Sequence, residues 1–398
     1  MKYSSEETVK SMSQAEVVRF EHFGGIIGIN NPPSLVFVDQ QYMKELGYDH
    51  STLWSNNEKH LSAPTEVHFN ITNRCPLSCR HCTTSANSHA EKEMSLPEIK
   101  KVIDSLAEMK VFHIAFGGGE LFSRADAIEI AQYARSKNII PNATTNGYYM
   151  TRELAEKCTV FGQINVSMDG IGDRYGVIRG VDAFEQADRA IRLLAAAGVN
   201  TGINCVVTKD NFDFLEEVVA YASRLGLREV LFIRLKPSGR ATEIFEQHKP
   251  TLEQNKKFFP FLISMAKKYK LNIQADCSFI PHICYHKPSA KIMQLFGVDG
   301  CQGGNLLLGV RHDGYFNACS HYKDYFEDVK GLAAVWNEYP HFKQFRERKI
   351  TEDQCSKCNY FSVCKGGCPL FSEYETGDFN KPDPDCPALE ELRQHGLT

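Results

Sequence analysis

No stretch of this sequence is apolar for long enough to cross a bilayer, since a spanning helix needs about 20 such residues. Nor is there a strong bias of charge: 45 Lys and Arg stand against 49 Asp and Glu, a net −4. Neither nucleic acid nor a membrane is therefore an expected partner. The first residues, Met1-Lys-Tyr-Ser-Ser-Glu-Glu, contain no apolar core of a secretory signal, so the reducing cytoplasm is the expected compartment. Repeats of fixed period and low-complexity tracts are also missing. What remains, 398 residues with 42% hydrophobic and 24% charged positions, is the composition of an ordinary globular protein of two or three domains.

Disulfides are unexpected in that compartment, and this makes the 14 cysteines informative. Thiols this numerous in a cytosolic chain are more often metal ligands than a covalent framework. Their distribution sharpens the point. Three lie near residue 80, seven lie between residues 301 and 386, and Cys158, Cys205, Cys277 and Cys284 are scattered.

Between residues 66 and 235 short β-branched or aromatic runs alternate with longer helix-like segments, the pattern of a parallel α/β sheet. Strands are expected at Glu66–Thr72, His113–Phe116, Pro141–Thr145, Gln163–Met168, Asn200–Thr208 and Glu229–Arg234, with helices such as Leu96–Glu108, Asp126–Ser136 and Phe212–Leu225 between them. Ligands in such folds gather where strands end. The three cysteines, Gly117–Glu120, Thr144–Gly147 and Ser167–Gly170 all fall at strand ends and should face one cavity. Upstream, residues 1–64 read as a small module: strands at Val17–Ile29 and Ser34–Asp39 joined by a Gly/Asn/Pro turn, then a helix near Gln41–Leu46. Residues 65–250 form the α/β unit. From residue 251 to 398 the periodicity weakens while Cys, Gly and Pro rise, as expected where metal clusters replace part of a core.

The segment Asn70-Ile-Thr-Asn-Arg-Cys75-Pro-Leu-Ser-Cys79-Arg-His-Cys82 places three thiols at spacing C-x3-C-x2-C in one loop. Three thiolates can hold three corners of a 4Fe–4S cube and leave the fourth iron open for chemistry. A zinc loop is the plainer alternative, but structural zinc usually takes four ligands in paired spacings. On these residues the sequence resembles the radical S-adenosylmethionine superfamily, which implies a partial (β/α)6 barrel of TIM type. The resemblance implies that Cys75, Cys79 and Cys82 hold the cluster and that S-adenosylmethionine chelates its open iron. It places His81 against the adenine, and Gly118, Gly119 and the Glu120 carboxylate at the methionine amino group. Thr144 and Asn146 at the third strand end, Ser167 and Asp169 at the fourth, Arg179 and Asn204 are further cofactor contacts by position. Without the cysteines, Gly-Gly-Glu and the strand-end polar residues would read as turn chemistry.

The downstream cysteines read Cys301-x12-Gly314-x4-Cys319, then Cys355-x2-Cys358-x5-Cys364-x3-Cys368, then Cys386. This resembles the SPASM extension of the same superfamily, which holds two auxiliary 4Fe–4S clusters. The resemblance assigns Cys301, Cys319 and Cys368 to the first, with Cys277 or Cys284 as its fourth ligand or none, and Cys355, Cys358, Cys364 and Cys386 to the second. Three clusters imply about twelve irons per chain. A zinc ribbon built from the C-x2-C and C-x3-C pairs is the alternative. Cys158 and Cys205 read as core thiols.

A primary alkyl radical attacks almost any aliphatic carbon, so the barrel sequence alone does not name a substrate. The upstream module, Arg19-Phe-Glu-His-Phe-Gly-Gly-Ile-Ile-Gly-Ile with Leu35-Val-Phe-Val-Asp, resembles the start of the recognition element of ribosomal-peptide maturases, in which a leader peptide adds a strand to a sheet edge. It is shortened, which implies either a structural brace or a separate recognition protein that completes leader binding. With Asp276-Cys277-Ser278-Phe279, it is most similar to maturases of nif11-type precursor peptides, among them spliceases that excise tyramine and leave an α-keto-β-amino acid. A flavodoxin or ferredoxin would donate electrons. Other SPASM chemistries stay open: thioether or carbon–carbon crosslinking, epimerisation, or sulfatase-maturase-like oxidation. So does a non-catalytic iron–sulfur or zinc scaffold.

Overall fold

A computed structural model describes residues 15–30, 33–55, 60–87, 92–289, 291, 293, 298–322, 327–328 and 331–395. Three antiparallel strands open the chain: β1 (Ala15–Glu21), β2 (Gly24–Asn30) and β3 (Pro33–Asp39), followed by a helix at Gln40–Glu45. The expected single strand Val17–Ile29 is thus a hairpin, turned at His22-Phe23, and residues 31 and 32 of the expected Asn/Pro turn lie outside the described residues. The module is fastened to the rest through buried Arg19. Its guanidinium donates to the carbonyls of Pro64 and Ala63 at 2.7 and 2.9 Å, and Nε pairs with Glu21 at 2.7 Å.

Six parallel strands follow in chain order: β4 (Glu66–Thr72), β5 (His113–Gly118), β6 (Ile140–Thr145), β7 (Gln163–Ser167), β8 (Thr201–Val207) and β9 (Glu229–Arg234). Their residues alternate between two environments, as a strand's period of two requires. In β4, Val67, Phe69 and Ile71 are fully buried against the surrounding helices, whereas Glu66, His68 and Asn70 line the barrel interior. Each buried Val, Ile or Phe contributes roughly 1.5–3 kcal/mol by leaving water, and the outward-facing core is continuous around the sheet. Glu98 starts the helix Leu96–Glu108 by accepting from Ser95 N and Oγ, both at 2.7 Å.

The sheet does not stop at residue 250. Its order is β10-β9-β8-β7-β6-β5-β4-β11-β12-β13, with β10 (Asn272–Ala275) parallel to β9, β11 (Leu307–Val310) parallel to β4, and β12 (Tyr315–Asn317) and β13 (Glu327–Asp328) added antiparallel. The C-terminal third therefore supplies both margins of the open barrel. It is also more regular at its start than its composition suggests, because Leu252–Tyr269 is one helix despite Pro260 inside it. A proline strips the carbonyl four residues earlier of its partner. Here that carbonyl, of Lys256, accepts from His286 Nε2 at 2.7 Å. No helix among the described residues is long and apolar enough to cross a membrane.

Candidate active site

The loop after β4 lies over the C-terminal ends of the strands, and its thiols open into a cavity of about 220 Å³. Cys75, Cys79 and Cys82 line it together with His81, Gly118, Gly119, Thr144, Asn146, Ser167, Arg179 and Asn204. Eleven residues expected at the site from their positions in the chain thus share one cavity. Two others do not face it. The Glu120 carboxylate is fully buried and turned to the neighbouring strand end, where it accepts from Thr145 Oγ1 at 2.5 Å, Asn146 N at 2.7 Å and Phe122 N at 3.2 Å. Through these contacts it positions the β6 end. Asp169 is likewise sealed in, accepting from Val206 N at 2.7 Å and lying 2.8 Å from Arg179 Nε and 3.2 Å from His81 Nε2. Burial would raise its pKa, but the Arg179 and His81 charges win and hold it at about 2. Asp169 therefore orients the two side chains that reach the cavity.

Gly118 is needed where β5 crosses β4. Its φ is +123°, and a Cβ there would sit 2.2 Å from the Thr72 carbonyl. Gly119 N and Glu120 N then donate to the carbonyls of Thr72 and Arg74, both at 2.8 Å, which locks the two loops together.

Taken alone, the protein surroundings of these thiols favour the protonated form. Burial pushes Cys75 up to about 11, with Glu120 and the neighbouring thiols adding to the effect, and Cys79 is also raised by burial. Positive iron reverses such a shift, since a coordinating thiol is deprotonated outright. The protein also supplies donors toward sulfur: Asn146 Nδ2 lies 3.5 Å from Cys75 Sγ, and Arg179 Nη1 lies 3.6 Å from Cys79 Sγ. Among the described residues, no three His, Cys, Asp or Glu side chains converge closely enough to hold a single metal ion. A four-iron cube instead takes its thiolates at separate corners, so the donor set fits the cluster better than a zinc ion.

Sequence reasoning passed over the loop after β9. Arg240 Nε donates to Cys79 O at 3.0 Å, its Nη1 donates to Ala86 O at 2.7 Å, and Ser238 Oγ ties Thr83 O to His321 O. Lys236 lines the cavity and is ion-paired with Asp276. The Pro-Ser-Gly run at 237–239 was a visible strand-end signal, but the partners of this loop lie between 83 and 161 residues away in the chain.

The remaining thiols form two groups. Cys277, Cys301, Cys319 and Cys368 are near enough that each lies within electrostatic reach of others in the set. Cys355, Cys358, Cys364 and Cys386 line a second cavity, of about 910 Å³. Of the two upstream thiols left open as the fourth member of the first group, the geometry selects Cys277, while Cys284 neighbours Cys364 in the second group. Burial pushes Cys319, Cys355 and Cys386 up to about 12. Cys158 and Cys205 are fully buried in the barrel core.

Comparisons with known proteins agree with this geometry. The Radical SAM superfamily profile matches residues 69–229. The chain is 30% identical over 352 residues to mycofactocin maturase MftC of Mycolicibacterium smegmatis, covering 84% of this chain and 87% of that protein. It is 28% identical over 340 residues to the AdoMet-dependent heme synthase of Nitratidesulfovibrio vulgaris, covering 80% and 91%. Streptococcus suis SuiB bound to precursor peptide SuiA has the same fold, with a TM-score of 0.75 at 15% identity over 93% of this chain and 98% of SuiB. The anSMEcpe structure with bound AdoMet gives 0.64 at 19% identity over 84% and 97%.

Proposed function

Because the chain belongs to the radical S-adenosylmethionine superfamily and is an enzyme of its SPASM subfamily, we propose that it is a maturase acting on a ribosomally made precursor peptide. The observation that carries this reading is the convergence of Cys75, Cys79, Cys82, Asn146 and Arg179 on one cavity, in a chain 30% identical to a peptide maturase. Cys75, Cys79 and Cys82 would hold a 4Fe–4S cluster that, reduced and with S-adenosylmethionine bound, supplies a 5′-deoxyadenosyl radical.

The protein's own groups do the rest. Asn146 and Arg179 direct N–H groups at two of the thiolates and offset their charge. Asp169 fixes His81 at the cavity wall, where the imidazole would lie against the adenine. The thiols of Cys277, Cys301, Cys319 and Cys368, and those of Cys355, Cys358, Cys364 and Cys386, would each hold an auxiliary 4Fe–4S cluster. Four thiols per cluster leave no open iron, which favours electron transfer or structural support over direct substrate binding. Lys236 lines the cavity and is also within electrostatic reach of Cys277 and Cys368. A flavodoxin or ferredoxin would be the donor.

The substrate would meet the barrel interior, a space of about 590 Å³ lined by amides and carboxylates from β4 to β10. Such a lining suits the hydrogen-bonding groups of a polypeptide better than the planar macrocycle suggested by the heme synthase relatives. The upstream sheet presents β3 as its outer edge, with Val36 and Phe37 exposed on it. A leader strand can add there, and a separate recognition protein would complete its binding. Tyramine excision from a Tyr-Gly site is the narrower form of the proposal, supported by the shortened module and Asp276-Cys277-Ser278-Phe279.

The test is to incubate the anaerobically reconstituted enzyme with reductant, S-adenosylmethionine, candidate precursor and recognition protein, and to weigh the peptide. Loss of a tyramine-sized fragment supports the splicease form. Loss of two hydrogens supports crosslinking. An unchanged peptide beside modified porphyrin in a parallel assay would overturn the maturase reading.

A further inference from the structure

Inside the barrel, below the cavity, a single carboxylate is ringed by amides. Glu229, at the start of β9, is buried and accepts from Gln163 Nε2 at 2.6 Å, Asn165 Nδ2 at 3.4 Å, and Asn272 Nδ2 and Gln274 Nε2, both at 3.1 Å. Space for it is left by Gly202 on β8, where a Cβ would stand 2.4 Å from Asn165 Oδ1 and 3.0 Å from Glu229 Cγ. The amides continue upward across the strands. Asn165 Nδ2 donates to Asn204 Oδ1 at 2.8 Å, and Asn204 Nδ2 donates to Thr144 Oγ1 at 3.3 Å. Thr144 lines both the barrel interior and the thiol cavity.

This chain has a direction, and chemistry sets it. An ionised carboxylate has only acceptors, whereas a primary amide has donors at one end and an acceptor at the other. Glu229 therefore forces the NH2 groups of Gln163 and Asn165 to face it. Asn165, turned that way, offers a donor to Asn204, which must answer with its carbonyl oxygen and aim its own NH2 at Thr144. The Thr144 oxygen is then an acceptor, and its hydrogen is left to donate elsewhere; among the described residues it has no acceptor. The thiol cavity, which Thr144 lines, is open to it.

We infer that Glu229 is a positioning residue: through Asn165 and Asn204 it fixes the Thr144 hydroxyl as a hydrogen-bond donor to bound S-adenosylmethionine. This rests on the reading above that the cavity takes that cosubstrate. With glutamine at 229 the acceptor-only end is lost, the amides can reverse, and the Thr144 hydrogen can be drawn down to Asn204 Oδ1 instead of up to the ligand.

The experiment measures the dissociation constant of S-adenosylmethionine by equilibrium dialysis on anaerobically reconstituted holoenzyme, with unfolding midpoint and iron content as controls. Thr144→Val should weaken binding about threefold to tenfold, as loss of one hydrogen bond does. Glu229→Gln should weaken it by a similar factor, Thr144→Ser should restore it, and Glu229→Gln combined with Thr144→Val should be no weaker than Thr144→Val alone. That non-additivity marks action through one hydroxyl. Should Glu229→Gln fold poorly, Asn204→Asp gives the same test, because an acceptor-only group at 204 also takes the Thr144 hydrogen. Additive losses, or unchanged binding with a lowered unfolding midpoint, would reduce Glu229 to support of the fold and overturn the inference. If wild-type enzyme itself fails to bind the cosubstrate, the proposed function fails, and the two failures are distinct.

Discussion

The thiols near residue 80 and those beyond residue 277 are assembled in opposite ways. Cys75, Cys79 and Cys82 come from one short loop, and the groups that serve them reach in from segments that follow later strands: Arg179, Asn146 and Arg240. The later thiols come from segments spread between residues 277 and 386, and a second kind of contact knits them together. Buried Arg234, at the end of β9, donates to Asp383 at 2.7 and 3.0 Å and to Asp385 at 2.6 Å; Asp383 in turn accepts from Cys368 N at 3.2 Å, and its carbonyl accepts from Cys386 N at 3.1 Å. One residue, through its carboxylate and its backbone carbonyl, thus touches the barrel and both downstream groups. A locally built group can be removed while the fold stands, whereas a dispersed one is part of the fold.

The largest expected effect tests the first half of that contrast. Changing Cys75, Cys79 and Cys82 together to Ala should abolish 5′-deoxyadenosine formation and lower the iron content by about four per chain, while circular dichroism and the unfolding midpoint stay near wild type. Collapse of the fold would erase the distinction. The second half is tested by Asp383→Ala. Removing one partner of a buried ion pair costs about 3–5 kcal/mol, and iron should be lost from the downstream groups, measured by denaturant unfolding and metal analysis. Asp169→Asn should cost about 2 kcal/mol or more by leaving Arg179 underpaired, and should weaken cosubstrate binding through His81 and Arg179 without loss of iron.

The smallest effect concerns pH. His341, packed among Tyr322, Phe342 and Phe345, is held at about 4 by burial. An unfolded histidine binds its proton near 6.5, so between about 6.5 and 4 the unfolded chain takes up a proton that the folded chain refuses. Its contribution to stability is therefore present at neutral pH and lost as pH falls through that window. His341→Gln should flatten the fall in unfolding free energy over that range, and an unchanged slope would remove His341 as its source.

The same contrast explains what could be read in advance. β4 and β9 and the helix Leu96–Glu108 begin and end where the sequence pattern places them, because local periodicity and a cap such as Ser95-x-x-Glu98 decide them. The cysteine loop is legible for the same reason. Which of Cys277 and Cys284 joins the first downstream group was not, since both precede it in the chain and only tertiary packing separates them: Cys277 opens a short turn beside β10, while Cys284 lies on the helix Ile280–Tyr285 facing the second group. The inward partners of Glu120 and Asp169 could not be read from their strand-end spacing, and only the folded packing shows the backbone and side chains that each engages. Glu229 gave no local signal at all, as its amide partners come from two other strands, β7 and β10.

The most direct measurement is the electron paramagnetic resonance spectrum of the reduced, oxygen-free enzyme recorded with and without S-adenosylmethionine. A cluster anchored by Cys75, Cys79 and Cys82 with one iron open should change its signal when the cosubstrate is added, and that signal should vanish in the triple Ala variant. A spectrum indifferent to S-adenosylmethionine, from protein carrying its full iron, would contradict the account.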